Sequence, residues 1–285
     1  MNNRAKLLIL GFALIIVLAF LLPISACGDE PAGLHQPNEI TALGNITPEE
    51  LCRVATNPDM DEIIVDYEGF TVSFNPVMHM PNWVSWTLSR DEIENSIFER
   101  QDNFRPDPDV PGCATLDDYY RSGFDRGHMA PAADMKWSAT AMDESCLLTN
   151  ICPQLHVLNN GAWKNLEEKC RSNATRDSLL VIVCGPVFTE GFSQYIGKTP
   201  VPVPPKFFKV ILTPRSSGAP QAIGFIMPND KVEGGMQSAA VSVDEIELLT
   251  GHDFFYLLPD EIENALEADN DFNRFSTGKR SRVTR

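Results

Sequence analysis

The chain has 285 residues, of which 43% are hydrophobic and 22% are charged, and this composition excludes a disordered or low-complexity protein. Its formal net charge of −16 argues against a general affinity for polyanions, because an acidic surface repels them. The charge is unevenly distributed, since residues 121–176 contain seven basic and six acidic side chains. A polyanion would therefore have to bind in this near-neutral stretch, where a divalent cation would make the local charge positive.

The N-terminus has the features of an export signal. Arg4 and Lys6 precede an apolar run at 7–22, and small residues lead to Cys27. The sequence ISAC resembles the lipobox of bacterial lipoproteins, in which the cysteine carries the lipid. We expect a lipoprotein-type signal peptide at 1–26, with simple secretion or an uncleaved anchor as the alternatives. Each of these places the protein outside the cytoplasm, either anchored to a membrane through a lipidated Cys27 or periplasmic or extracellular.

The residues after the signal divide into a tether and a folded part. Residues 27–55 begin with a polar, turn-rich stretch that predicts a tether. Residues 56–285 are long enough for a single domain with its own core.

Six cysteines follow Cys27, and an even number in an exported protein favours structural disulfides. They are Cys52, Cys113, Cys146, Cys152, Cys170 and Cys184. The sequence does not define their pairing. A zinc site is disfavoured, because the chain has no CxxC pair.

The predicted strands are rich in β-branched and apolar residues and lie at 63–75, 82–88, 145–151, 178–188, 206–213 and 222–228. Turns are predicted at Asn75–Pro76 and Pro81–Asn82. Capping residues precede three predicted helices, at 159–174, 242–251 and 259–268. Because strands outnumber helices without regular alternation, we predict an α+β fold.

Residues 124–135, FDRGHMAPAADM, concentrate ionisable side chains. Asp125, Arg126 and His128 fall within four positions. Burying such groups without partners is unfavourable, so the stretch is either a solvated turn or a site that binds an anion.

The predicted helix at 159–174 carries polar residues along one side. Asn159, Trp163, Glu167 and Arg171 are spaced four apart, which places them in one sector of a regular helix. Taken alone, a solvated surface with a Glu167–Arg171 pair would explain this pattern.

The order of three motifs changes that interpretation. SGFDRGHMAP, then TNICPQ, then LNNGAWKNLE with a following arginine resembles the DNA/RNA non-specific endonuclease family, the endonuclease G-like nucleases with a ββα-metal motif. The similarity extends from about Tyr67 to Phe255. It implies a mixed, mostly antiparallel central sheet flanked by helices.

The resemblance also implies roles for individual residues. His128 matches the general base, and Asn159 matches the direct ligand of a catalytic Mg²⁺ or Mn²⁺. Glu167 matches a catalytic residue that holds the ion through water. The cations that grip the substrate phosphate are Arg126, which also belongs to the catalytic group, Arg171 and Arg100. Asn150 and Asp125 match supporting positions, whereas His156 is expected to be a surface histidine.

The implied activity is metal-dependent hydrolysis of phosphodiester bonds in DNA and RNA, leaving 5′-phosphate ends. Lack of sequence preference is consistent with contacts to the phosphate backbone, which carries no base information. A narrower phosphodiesterase and a non-catalytic nucleic-acid-binding surface lipoprotein are the alternatives.

Overall fold

The computed structural model describes Leu43 and residues 45–188, 191–214 and 219–278. They belong to one compact unit, Asn38–Arg285. The predicted signal peptide at 1–26 and Cys27 lie outside the described residues. Within the described ranges, no helix is both long enough and apolar enough to cross a bilayer.

The structure contains short peripheral strands and a set of long central ones. The strands are β1 (Val54–Ala55), β2 (Ile63–Asp66), β3 (Thr71–Asn75), β4 (Met80–Ser89), β5 (Asp125–His128), β6 (Ile151–Gln154), β7 (Leu179–Pro186), β8 (Tyr195–Ile196), β9 (Val201–Pro202), β10 (Lys206–Thr213), β11 (Gln221–Pro228), β12 (Ala240–Val241) and β13 (Asp253–Phe254). The helices are α1 (Pro48–Leu51), α2 (Arg90–Glu94), α3 (Leu116–Tyr119), α4 (Ala139–Ser145), α5 (Lys164–Asp177), α6 (Val243–Thr250), α7 (Asp260–Glu267) and α8 (Phe272–Thr277).

The central sheet has seven strands in the order β12-β11-β10-β7-β4-β3-β2, and every pairing is antiparallel. Its middle strands are buried on both faces. In β10, Phe207 and Ile211 contribute to one hydrophobic core, while Phe208 and Val210 contribute to the other. Burial on both faces explains why these strands have almost continuous apolar sequences. The predicted α+β class is confirmed.

The strand around residue 82 differs from its prediction. Pro81 and Asn82 were expected to form a turn but lie inside β4. A register irregularity between Ser73 and Phe74 on β3 accommodates Pro81, which pairs with Phe74. Proline is tolerated in a strand at such bulges, where no ladder hydrogen bond is required from it.

The strand predicted at 145–151 is also displaced. Ser145 ends α4, a helix capped at its start by the Ser138 hydroxyl, and the strand begins only at Ile151. Leu147 and Leu148 are buried, but they lie at the start of a short helical turn and not in a strand. Their apolar character reflects core packing, which sequence alone could not distinguish from a buried strand.

The prediction of structural disulfides is wrong for this structure. All six cysteines of the described residues are free, and four of them are buried. Two thiols instead donate to backbone carbonyls, Cys184 to Met129 at 3.3 Å and Cys146 to Gln101 at 3.2 Å. Burial raises the pKa of the Cys184 thiol to about 12. The cysteines therefore act as small buried side chains rather than as cross-links.

Part of the predicted tether at 27–55 is folded. Helix α1 and strand β1 lie in this range, and Leu51 is fully buried in the second core. The Thr47 hydroxyl and the Glu50 carboxylate form a capping box that fixes the start of α1. The apolar face of α1 thus belongs to the domain, and the remaining domain division stays a prediction.

Candidate active site

A small two-stranded antiparallel sheet holds the DRGH sequence. Strand β5 pairs with β6, with His128 opposite Ile151 and Gly127 opposite Cys152. A side chain at Gly127 would collide with Gln154 on the neighbouring strand, so this sheet requires glycine there. His128 is the last residue of β5, where the chain turns toward Pro131.

Asn150 locks the segment that follows His128. It is fully buried, its Oδ1 accepts from the Ala130 amide at 2.9 Å, and its Nδ2 donates to the Ala130 carbonyl at 2.8 Å. The Asn150 carbonyl also accepts from the Met129 amide. These contacts hold the backbone of Met129 and Ala130 in place, and the supporting role of Asn150 stays a prediction.

Six of the predicted site residues line one cavity of about 300 Å³. They are Arg100, Arg126, His128, Asn159, Glu167 and Arg171. Asn150 and Asp125 do not line this cavity and hold its residues in place from outside. The two motifs and the helix therefore meet in three dimensions as their resemblance implied.

His128 is the most buried of these six predicted residues. It is 9% exposed, and its Nε2 atom has no hydrogen-bond partner among the described residues. Burial lowers the pKa of His128 from 6.5 to about 3, and the positive charges of Arg100 and Arg126 act in the same direction. The imidazole is therefore neutral at neutral pH, which is the form of histidine that can accept a proton.

Asp125 fixes the orientation of Asn159. Its Oδ2 atom accepts from Asn159 Nδ2 at 2.9 Å and contacts His156 Nδ1 at 2.8 Å. Because the amide nitrogen of Asn159 is occupied, its carbonyl oxygen is the atom left to serve as a ligand. His156 is an exposed surface residue, as predicted.

The regular helix begins later than predicted. Residues Leu158–Trp163 form an irregular helical turn that is broken at Gly161, whose φ and ψ are −113° and −114°, and α5 starts only at Lys164. Asn159 therefore precedes the break, and it does not share one regular helical face with Glu167 and Arg171. Trp163 is fully buried, and its indole N–H donates to the His128 carbonyl at 3.4 Å.

Glu167 is partly exposed and lies above a buried lysine. Burial raises the pKa of the Glu167 carboxyl to about 7, and Lys209 is the cation that most opposes this rise. The Lys209 ammonium is 4.3 Å from the centre of the Trp163 ring and 5.2 Å from that of Trp86. Lys209 was not among the predicted site residues, although a lysine inside the apolar stretch KFFKVILT indicates a buried charge.

Arg171 is held by Asp134, which was also not among the predicted site residues. Its Nη1 atom donates to Asp134 Oδ1 at 2.8 Å, and the other carboxylate oxygen of Asp134 accepts from the Trp86 indole at 3.2 Å. Asp134 is buried, whereas Arg171 reaches the cavity. Asp134 lies within the 124–135 stretch, so its position was available in the sequence.

The other two arginines are more exposed. The Arg126 guanidinium stacks over Phe104, 4.2 Å from the ring centre, and Phe104 in turn lies 5.2 Å from the His128 ring. Arg100 pairs with Asp102 at 3.2 Å, and both side chains are exposed. Guanidinium groups at the mouth of a cavity are suited to paired hydrogen bonds with phosphate oxygens.

The cavity can also accommodate a hard divalent cation. Asn159 and Glu167 both contribute oxygen donors to it, and the amide of Asn159 is already oriented by Asp125. Mg²⁺ is commonly held by one or two protein oxygens, with water and phosphate completing its coordination. The chemistry of the donors therefore fits such an ion.

The family model for DNA/RNA non-specific endonucleases matches residues 47–261. The chain belongs to the DNA/RNA non-specific endonuclease family. It is therefore a nuclease, of a family whose members depend on a divalent metal. Nucleic acids are the substrate class that this membership implies.

Relatives of this nuclease include mitochondrial proteins of animals. It is 35% identical over 230 residues to "Nuclease EXOG, mitochondrial" of Danio rerio, covering 74% of this chain and 67% of the relative. It is 36% identical over 198 residues to "Endonuclease G, mitochondrial" of Homo sapiens, covering 65% of this chain and 66% of that protein. The nuclease thus spans about two thirds of the length of these curated relatives.

A solved structure shows the same fold. The EndoG component of the EndoG/EndoGI complex matches with a TM-score of 0.65 and 22% sequence identity, over 78% of this chain and 93% of that one. The α+β architecture with its large antiparallel sheet is therefore the architecture of that structure.

Proposed function

We propose that this protein is a sugar-non-specific endonuclease that hydrolyses phosphodiester bonds of DNA and RNA to 5′-phosphate products. One observation carries the proposal. His128 lines one cavity of about 300 Å³ together with Asn159, Glu167 and three arginines. A neutral base, oxygen donors and phosphate-binding cations are the groups that this reaction requires.

In this proposal, His128 takes a proton from the attacking water. Its lowered pKa keeps the imidazole unprotonated before substrate binds. The substrate phosphate brings negative charge next to the ring, which stabilises the imidazolium once the proton has moved. Arg126, Arg171 and Arg100 hold the phosphate so that the water and the leaving 3′-oxygen are in line.

Asn159 would hold a Mg²⁺ or Mn²⁺ ion directly, and Glu167 would hold it through water. Such an ion supplies Lewis acidity that neutralises charge developing on the phosphate and the leaving oxygen. Lys209 favours the ionised form of Glu167, which is the form that accepts hydrogen bonds from water.

The test is cleavage of plasmid DNA and of RNA by the full-length protein, with Mg²⁺ or with EDTA. We expect both polymers to be cut only with the metal, leaving ends that a ligase accepts without prior phosphorylation. His128→Ala should lower the rate by about 10²–10⁴-fold, because a positioned general base contributes that much. His156→Ala is the matched control, since it removes an exposed histidine near the same cavity.

Other outcomes would reassign the function. Cleavage of only one polymer would indicate a narrower phosphodiesterase, and a folded, metal-loaded protein without activity would indicate a non-catalytic binding protein. Wild-type rates in His128→Ala would contradict the assignment of the base.

We further propose that the protein is exported as a lipoprotein. Residues 1–26 would be the signal, Cys27 would carry the lipid, and a short tether would join it to a single nuclease domain. The basic start, apolar run and ISAC sequence support this proposal.

A further inference from the structure

A cluster of three carboxylates lies outside the catalytic cavity. Asp244 and Glu247 belong to α6, and Glu267 ends α7. One carboxylate oxygen from each residue lies within 4.8 Å of the other two. None of the three lines the cavity that contains His128.

Glu267 is an unusual member of this cluster. It is only 5% exposed, and its Oε1 atom has no hydrogen-bond partner among the described residues. A buried carboxylate oxygen without a partner is strongly unfavourable, so such an atom indicates a missing ligand or a proton.

A hydrogen bond from a backbone amide holds the carboxylate of Glu247 in place. Its Oε1 atom accepts from the Phe254 amide of β13 at 2.7 Å. Asp244 is exposed in the first turn of α6, so the cluster opens to solvent on its side. The arrangement is one buried oxygen, one oriented carboxylate and one exposed carboxylate around a shared position.

The charges around the cluster are unfavourable without a counter-ion. The groups acting most strongly on Glu267 are Glu247, Glu263, Asp244 and Asp253, all of which are acidic. A cation at the shared position would remove the repulsion.

We propose that Asp244, Glu247 and Glu267 form a binding site for a hard divalent cation of the Ca²⁺ type, which joins α6 to α7. Ca²⁺ takes oxygen ligands at about 2.3–2.6 Å in flexible geometry, which suits three carboxylates on two helices. Carboxylate oxygens within 4.8 Å of one another can surround such an ion with modest side-chain movement. Water completes the coordination on the exposed side of Asp244.

The site is structural rather than catalytic. Glu267 lies beyond the segment matched by the family model, 47–261, whereas Asp244 and Glu247 lie within it. In this proposal the cation links α7, which extends past the matched segment, to α6 within it. The cation stabilises the folded protein, and this effect does not depend on the proposed reaction.

The test measures thermal unfolding of the full-length protein with EDTA or with Ca²⁺. Asn159→Ala is introduced throughout, so that the cation cannot act through the catalytic cavity. We expect Ca²⁺ to raise the Tm of this parent by about 5 °C at saturation, since a ligand that binds only the folded state stabilises it. Calorimetric titration with Ca²⁺ should give one site per chain.

Added to this parent, Glu267→Gln should abolish the Ca²⁺-dependent shift without lowering the Tm measured in EDTA, because the amide has the size of the carboxyl and carries no charge. Asp244→Asn, at an exposed position, should reduce the shift even if the Glu267 variant fails to fold. Glu261→Gln is the control, since it removes the same charge from an exposed position on α7 and should leave the shift unchanged. No Ca²⁺-dependent shift in the parent, or an undiminished shift in both cluster variants, would overturn the proposal.

Discussion

Asp125 shows how one carboxylate can prepare a metal ligand. Asparagine carries an oxygen and a nitrogen at the same distance from its backbone, and only the oxygen can bind a cation. The contact between Asp125 Oδ2 and Asn159 Nδ2, at 2.9 Å, selects the orientation in which the oxygen is available. Groups that orient a ligand in this way commonly change metal affinity without touching the metal.

We predict that Asp125→Ala weakens activation by Mg²⁺. The concentration needed for half-maximal activity should rise about 10–100-fold, because the Asn159 amide is no longer held in one orientation. The rate at saturating Mg²⁺ should recover most of the wild-type value. A Mg²⁺ titration of plasmid cleavage measures both quantities.

His156→Ala separates this effect from a general disturbance of the site. His156 contacts the same oxygen of Asp125 but is exposed, so its removal should leave the Mg²⁺ dependence unchanged. An Asp125→Ala protein with the Mg²⁺ requirement of the wild type would show that Asn159 needs no such support.

At the scale of elements, strand β10 supports helix α5 electrostatically. Lys209 lies on the same face of β10 as Phe207 and Ile211, in the core beneath the helix. Its ammonium lies between two indole rings, where cation–π attraction partly replaces water. The strand thereby holds a buried positive charge near Glu167, which a lysine on the protein surface could not provide.

Lys209→Met should move the acidic limb of the pH–activity profile to higher pH. Without Lys209, the pKa of Glu167 rises above about 7, so a smaller fraction of this carboxyl is ionised at neutral pH. Loss of a nearby opposite charge shifts a pKa by about one to three units. The measurement is the cleavage rate across pH, and activity should return as the pH is raised.

Lys206→Met serves as the control, because it removes a lysine from the first position of the same strand. Its profile should match the wild type. A uniform loss of rate in Lys209→Met at every pH would mean that Lys209 acts through packing and not through Glu167.

The parts of the fold and site that the sequence could predict depend on local signals. His128, Asn159 and Glu167 lie in motifs whose order indicates the family, and β7, β10 and β11 have the long apolar sequences typical of buried strands. Asp134 and Lys209 could not be assigned, because their roles arise from contacts between distant segments. The cysteine count led to an incorrect prediction of disulfides for a related reason, since an even number carries no information about distances between thiols.

At the scale of the whole molecule, the folded unit and its acidic charge suit an enzyme tethered at one end. The proposed lipoprotein signal would attach the protein to a membrane through Cys27. Cys27→Ser should therefore release the protein from the membrane fraction if the lipoprotein signal is used. Detergent partitioning and cleavage assays on both fractions measure this, and unchanged membrane attachment would indicate an uncleaved apolar segment instead.

The free thiols have a consequence for when the enzyme becomes competent. Structural disulfides form in oxidising compartments and are rare in the reducing cytosol. None of the six cysteines within the described residues is cross-linked, so the core can close without an oxidant. We therefore expect the protein to reach its active fold in a reducing cytoplasm as readily as in an oxidising compartment.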